Sequence, residues 1–279
     1  MSRRSAGAEM RRLRTAKGLK TEDVAAHLRT STTRISRMET GKGRVSIRPD
    51  EVEALCDLFD VQDPRQRDML ADMFRAAQQP GWWDQWRDVL PSGLEVLLDL
   101  ETNAERELGF ELTLVHGLLQ TPQYTRAILE ASPSIRREDI DDMIALRQRR
   151  QELVTREVSP LAVWIILDEY VIRRPVGGED VMREQRARLA ELAELPNVTL
   201  QVIPEKKSSH PGLGGPFAIF EFEANPSVVY VDSPAGNLYL EKRPDVRKFG
   251  ATFDLLRAAA LDPADTTALL RTFSRETRP

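Results

Sequence analysis

The chain has 279 residues, a length that suits two domains, and its 40 Lys and Arg residues against 44 Asp and Glu residues give a net charge of −4. A single cysteine, Cys56, excludes an internal disulfide framework and is typical of a reducing cytoplasm. No segment reaches the ~20 apolar residues of a membrane span, and no apolar stretch follows Arg3 and Arg4 to form a secretory signal. We therefore expect a cytoplasmic protein without a membrane anchor, in which Cys56 is a buried structural thiol.

The charge is distributed unevenly along the chain. Residues 1–48 contain 13 Lys and Arg residues and 4 Asp and Glu residues, a balance of +9. The other residues contain 27 and 40 of these types, a balance of −13. A basic end on an acidic body is typical of a protein that contacts nucleic-acid phosphate through one end only.

The first 60 residues have the 3.6-residue apolar spacing of an all-helical domain. We expect Thr21 and Ser31 to cap two short helices at their amino ends, and Gly41 to stop the second of them in the left-handed conformation. Two such helices separated by a tight break, with polar groups on the outer face of the second, form the arrangement that enters a DNA groove. Helices are predicted over 5–16, 21–28, 31–41 and 48–59.

The polar residues of this segment fall into two groups by the contact that each can make. Thr32, Thr33 and Arg37 are predicted to read bases, because arginine binds guanine through two hydrogen bonds and threonine can contact a thymine methyl group or a base-edge acceptor. Phosphate contacts are predicted for Lys20, Thr21, Arg34, Lys42 and Arg44. The alternative is that this basic surface is only solvated.

A charged helix is predicted over 65–78, after the break at Asp63 and Pro64. Three tryptophans follow it, Trp82, Trp83 and Trp86, and we interpret them as a packing cluster rather than a site that stacks a ligand. We interpret 63–90 as a helical connector, either a spacer or a dimer contact.

Helical and extended patterns alternate after residue 91. Strands are predicted over 161–168 and 198–203 around a helix at 179–192, which indicates a parallel pair with a right-handed crossover. Short strands over 217–222, 228–231 and 238–240 indicate an antiparallel meander. We therefore expect an α/β (α+β) domain on a small mixed sheet over 91–279. Further helices are predicted over 97–108, 122–129, 136–156, 244–260 and 263–273, with an extended or turn segment over 112–119.

Residues 1–60 resemble the Xre/Cro/C1-type helix-turn-helix family, and the segment that carries the resemblance is GLKTEDVAAHLRTSTTRISRMETGKGR. The resemblance implies a lambda-repressor-like all-α domain over 1–62. It also implies a structural pair between Arg14 of the first helix and Glu39 at the end of the recognition helix. Members often have Gly-Val where this chain has Arg29 and Thr30, which adds a cation to the turn.

The remainder resembles actinobacterial regulators of the WhiJ-like family, whose C-terminal domain has no assigned biochemical role. The resemblance implies a transcriptional regulator, frequently paired with a small acidic BldB-like protein and sometimes in an antitoxin-like arrangement. The motifs that carry it are GWWDQW, VHGLLQTPQYTRAIL, RRPVGG, ELPNVTLQVIP, HPGLGGPF and VVYVD.

No pattern in the sequence indicates catalysis. The glycine-rich segments 177–178 and 212–215 lack the context of a phosphate loop and are interpreted as turns. The serine and lysine order of a self-cleaving repressor is also missing. We therefore expect no enzymatic activity and no cofactor. We also expect no metal, because the three histidines lack the ligand spacing of a metal site: His27, His116 and His210. The adjacent acids Asp168 and Glu169 are interpreted as a solvated strand end or as partners of Arg173 and Arg174.

We predict a sequence-specific DNA-binding transcriptional regulator, with a C-terminal domain that senses a ligand or binds a small protein. A homodimer on a near-palindromic site is expected, with half-sites ~34 Å apart or a multiple of that distance. One alternative is an antitoxin-like protein that neutralises a small partner protein and regulates its own operon. Another is an enzyme with a DNA-binding head.

Overall fold

The computed structural model describes residues 3–41, 46–79, 81–91, 93–223, 225–233 and 236–275. The chain divides into two compact units, Met1–Gln85 and Trp86–Pro279. Each unit has its own buried apolar core. Within the described ranges, no helix is long and apolar enough to cross a membrane.

The amino-terminal unit is helical, as the apolar spacing predicts. Each helix contributes at least one side chain that is almost completely buried in a common core, and these are Met10, Val24, Ile35, Leu55 and Leu70. Cys56 belongs to the same core, and burial raises the pKa of its thiol, which agrees with a structural role. The helices are α1 (Arg3–Ala16), α2 (Thr21–His27), α3 (Thr32–Thr40), α4 (Pro49–Leu58) and α5 (Pro64–Gln78).

The ends of α2 and α3 test the capping residues predicted from the sequence. Ser31 caps α3 by accepting a hydrogen bond from the Arg34 backbone N–H at 3.1 Å, and Gly41 ends α3 at φ 65°, so both predictions are confirmed. The prediction that Thr21 caps α2 is wrong. Lys20 is the N-cap residue and Thr21 is the first residue of the helix. The Asp23 carboxylate supplies the cap instead, because it accepts the Lys20 backbone N–H at 2.7 Å.

Helix α5 lies in the segment that the sequence suggests as a connector, but it packs within the amino-terminal unit. Leu70, Met73 and Phe74 are buried in the core of that unit. Arg67 fixes the start of the helix, because its Nε donates to the Val61 carbonyl at 2.7 Å. These three apolar side chains of α5 are therefore covered by their own unit, whereas Met69 is exposed. A 3-10 segment, Trp82–Val89, follows, in which Trp83 is buried.

The second unit contains a mixed sheet with helices on both faces, and the predicted fold class is confirmed. Six strands of the described residues form one sheet in the order β3-β2-β1-β4-β5-β6. The first three are parallel, and β4, β5 and β6 are added antiparallel, as the predicted crossover pair and meander require. The elements are α6 (Leu94–Asn103), β1 (Arg106–Glu111), α7 (Pro122–Ala131), α8 (Ile140–Thr155), β2 (Ala162–Asp168), α9 (Glu169–Arg173), α10 (Glu179–Leu192), β3 (Val198–Ile203), β4 (Phe217–Glu221), β5 (Val228–Val231), β6 (Leu238–Leu240), α11 (Arg243–Ala259) and α12 (Pro263–Arg275).

The central strand β1 was not predicted. The sequence pattern extends a helix over 97–108, whereas α6 ends at Asn103 and β1 begins at Arg106. Glu107, the second residue of β1, is 1 % exposed. A buried glutamate is rare in a strand. It interrupts the apolar pattern by which the strand could have been recognised in the sequence. Glu107, Gly109 and Glu111 point to one face of the sheet and Phe110 to the other, because side chains alternate along a strand.

Candidate functional site

Helix α3 presents one apolar and one polar face, as predicted for a recognition helix. Ile35 is completely buried and Met38 nearly so. Thr32, Thr33 and Arg37 are exposed on the opposite side. The apolar face fixes the helix to the core, so the three residues predicted to read bases project from a rigid support.

Arg14 and Glu39 form the predicted structural pair. The Arg14 Nε donates to Glu39 Oε1 at 2.5 Å and its Nη2 donates to Oε2 at 2.9 Å. Its Nη1 donates to the Leu19 carbonyl at 2.7 Å. One guanidinium therefore joins the end of α3, the end of α1 and the loop between α1 and α2, and the pairing prediction is confirmed.

Arg34 has a partner inside the domain that the sequence analysis does not foresee. Its Nη1 and Nη2 donate to the two carboxylate oxygens of Glu51 at 2.8 and 2.9 Å, and Nη2 also donates to the Ser46 carbonyl at 2.6 Å. These bonds hold the pKa of Glu51 below its usual range. They join α3 to α4, and the phosphate contact of Arg34 stays a prediction. The sequence carries no local sign of this pair, since Arg34 and Glu51 are 17 positions apart.

The other predicted phosphate contacts lie at the start of α2 or outside the described residues. Lys20 is exposed and Thr21 is half-buried, and both lie at the amino end of α2. Lys42 and Arg44 lie outside the residues that the structure describes. The exposed Arg29, in the turn between α2 and α3, is not among the predicted contacts.

Arg29 has a left-handed backbone, with φ 51°. This conformation costs a residue with a side chain about 1–2 kcal/mol and costs glycine little. Arg29→Gly is therefore expected to stabilise the amino-terminal unit by about 0.5–1 kcal/mol, because the relief of strain exceeds the entropy that glycine adds to the unfolded chain. Urea unfolding of the full chain measures the change.

Arg29→Ala is the matched control, since it removes the same cation and keeps the strain. Equal stability of the two variants would contradict the prediction.

The second unit contains a buried polar cluster that was not predicted. His116 Nε2 lies 3.0 Å from Glu107 Oε1 and 4.0 Å from Glu111 Oε1. Burial lowers the pKa of His116, but the two carboxylates outweigh this effect and raise it to about 9, so the imidazole is charged at neutral pH. Nearby, the buried Arg150 donates to both oxygens of Glu101 at 2.9 and 2.5 Å.

The remaining acidic and histidine residues that the sequence singles out have structural partners. Glu169 pairs with Arg173, whose Nε donates at 2.7 Å, as one of the two interpretations suggests. Asp168 lies 3.2 Å from His210 Nε2 and caps α9 through the Tyr170 backbone N–H. Across the described part of the chain, no group of three or more His, Cys, Asp and Glu residues has the arrangement of a metal site.

Comparison with known families agrees with this division of the chain. A profile for a helix-turn-helix domain matches residues 5–70, which include α3 and the start of α5. A profile for a domain of unknown function, DUF5753, matches residues 94–272, more than half of the chain. No curated protein and no solved structure matches. The chain therefore belongs to the DUF5753 family and carries a helix-turn-helix domain in front of the domain that defines it.

Proposed function

We propose that this chain is a cytoplasmic, sequence-specific transcriptional regulator of the Xre type and not an enzyme. The observation that carries the proposal is the exposed polar face of α3, with Thr32, Thr33 and Arg37, on a helix whose opposite face is buried. The pairs of Arg14 with Glu39 and of Arg34 with Glu51 join α3 to its neighbours. Base contacts need such a fixed support, because a bidentate bond tolerates little displacement.

In this proposal α3 lies in the major groove and the start of α2 contacts the backbone. Arg37 binds a guanine, and Thr32 and Thr33 contact the adjacent base edges. Lys20 and Thr21 bind phosphate, as do Lys42 and Arg44 on the basis of the sequence alone. Arg34, which the sequence also assigns to phosphate, is paired with Glu51 and is proposed to act chiefly as a link between α3 and α4.

The chain is proposed to act as a homodimer, because one short helix makes too few base contacts to select a site. The second unit is proposed to control DNA binding through a ligand or a small protein. The resemblance to WhiJ-like regulators favours a BldB-like protein for the latter role. The acidic character of residues 49–279 supports the division of labour, since it disfavours contact of that part with DNA.

Selection of bound duplexes from a random library with the full chain tests the function. We expect one near-palindromic sequence to be enriched and to bind at least about 10³-fold more tightly than a scrambled duplex. Its affinity should fall steeply between about 50 and about 200 mM salt, because bound phosphates release counterions. Equal affinity for the enriched and the scrambled duplex at every salt concentration would reject the proposal.

A further inference from the structure

A cavity of about 690 Å³ lies inside the second unit, on the face of the sheet that carries the polar cluster. This volume is in the range of small-molecule sites. Three neighbouring strands contribute to its lining, with Glu107 and Glu111 of β1, Ala218 of β4 and Tyr230 of β5. Ala218 lies directly opposite Tyr230 in the sheet.

Glu107 lines this cavity and is 1 % exposed. Its Oε1 lies 3.0 Å from His116 Nε2 and forms an ion pair with it. Its Oε2 has no hydrogen-bond partner among the described residues. Buried carboxylate oxygens are almost always satisfied in folded proteins. The unpartnered Oε2 therefore indicates that a donor from outside the chain completes the site.

The other charges around the cavity show the sign of the missing group. Arg150 is committed to Glu101 through two hydrogen bonds, and these charges cancel. Arg147 donates to the neutral amide oxygen of Gln120 at 2.5 Å. His116 and Arg147 then face three further carboxylates, which belong to Glu107, Glu111 and Asp232. Three acidic side chains thus stand against two basic ones in this part of the lining, so acidic groups are in excess.

Apolar side chains form other parts of the lining, and they are Leu94, Leu97, Leu114 and Ile128. A ligand that satisfies both parts has an apolar body and a cationic hydrogen-bond donor. We propose that the cavity binds a small organic amine, whose ammonium group donates to Glu107 and whose body packs on these apolar side chains. That this amine is the effector of DNA binding rests on the proposed function, whereas its binding does not.

Calorimetric titration of the full chain with three compounds of similar size tests the assignment. Phenethylamine carries the ammonium group, phenethyl alcohol is its uncharged analogue, and phenylacetate is an anion. We expect phenethylamine to bind with one site per chain and at least about tenfold more tightly than the other two. Tighter binding of the alcohol or of phenylacetate, or no heat with any of the three, would overturn the proposal.

Variants of the cavity acids test which carboxylate receives the amine. Glu107→Gln is expected to lose at least about tenfold in phenethylamine affinity, because a neutral amide cannot form a charge-assisted hydrogen bond as acceptor and counter-ion to the ammonium group. The matched control is Glu184→Gln, an exposed position on α10 that should bind like the wild type. Wild-type affinity in Glu107→Gln would overturn the proposal. If that variant does not fold, the ranking of the three compounds on the wild-type chain decides instead.

The pH dependence gives a second readout. Burial raises the pKa of the Glu111 carboxyl to about 7, so this group gains its negative charge between about pH 6 and about pH 8. Phenethylamine remains protonated over this interval, and its affinity should rise with pH. Affinity that falls with pH would contradict the site. The groups that face Glu111 across the cavity are Glu107, His116, Asp232, Arg147, Arg150 and Glu101.

DNA affinity measured on the same samples separates the two proposals. If the amine binds but the affinity for the enriched duplex does not change, the effector role is rejected and the binding site is retained. Failure to select any duplex rejects the regulator, while the calorimetric result stands independently.

Discussion

Replacing Arg150 with methionine is expected to destabilise the second unit by about 3–5 kcal/mol, because the change leaves a buried charge without a partner. Glu101 is completely buried, and both of its carboxylate oxygens receive hydrogen bonds from Arg150. Methionine has a similar length and fills much of the space. The loss therefore comes from the uncompensated Glu101 carboxylate and not from a cavity.

Hydrogen exchange of the β1 and β2 amides in the full chain measures this loss, since these central strands report the stability of the second unit separately. Arg149→Met is the matched control, because Arg149 is adjacent, half-exposed and paired with Glu152 at the surface, where such a pair contributes about 0–1 kcal/mol. The double variant Arg150→Met with Glu101→Leu should recover most of the stability, as it removes both charges together. Equal effects of Arg150→Met and Arg149→Met would show that the buried pair contributes little.

The helical unit could be predicted largely because its signals are local. The Ser31 cap and the Gly41 stop act within one helical turn, and Ile35 and Met38 follow from the helical period. The strand over 162–168 was predicted for a similar reason, because a strand buried on both faces reads as a continuous apolar run.

The polar cluster could not be predicted because its members are distant in sequence. Arg150 and Glu101 are 49 positions apart, and only the pairing of β1 between β2 and β4 brings α6 and α8 over the same face. Glu107 also interrupts the apolar pattern of β1, the strand on which it lies. The same limit applies to Arg34, whose partner Glu51 lies in the next helix. Long-range charge pairing therefore accounts for most of the differences between prediction and structure.

Arg37→Ala is expected to remove the preference for one base position of the enriched duplex, at a cost of about 1–3 kcal/mol on the preferred base. Arg37 is exposed on the outer face of α3, and no described residue accepts a hydrogen bond from its guanidinium. Its side chain is thus available for two bonds to guanine. The measurement is the dissociation constant for the enriched duplex and for each single-base variant, with wild type and Arg37→Ala at one salt concentration.

Lys20→Ala is the control that separates base reading from general attraction. Lys20 is an exposed cation at the start of α2, and its loss should weaken all duplexes by a similar factor and reduce the salt dependence by about one counterion per protomer. Arg37→Ala should weaken the enriched duplex much more than the variant that already lacks the preferred base. If both substitutions weakened every duplex uniformly, Arg37 would be a phosphate contact. The reading of bases would then fall to Thr32 and Thr33 alone.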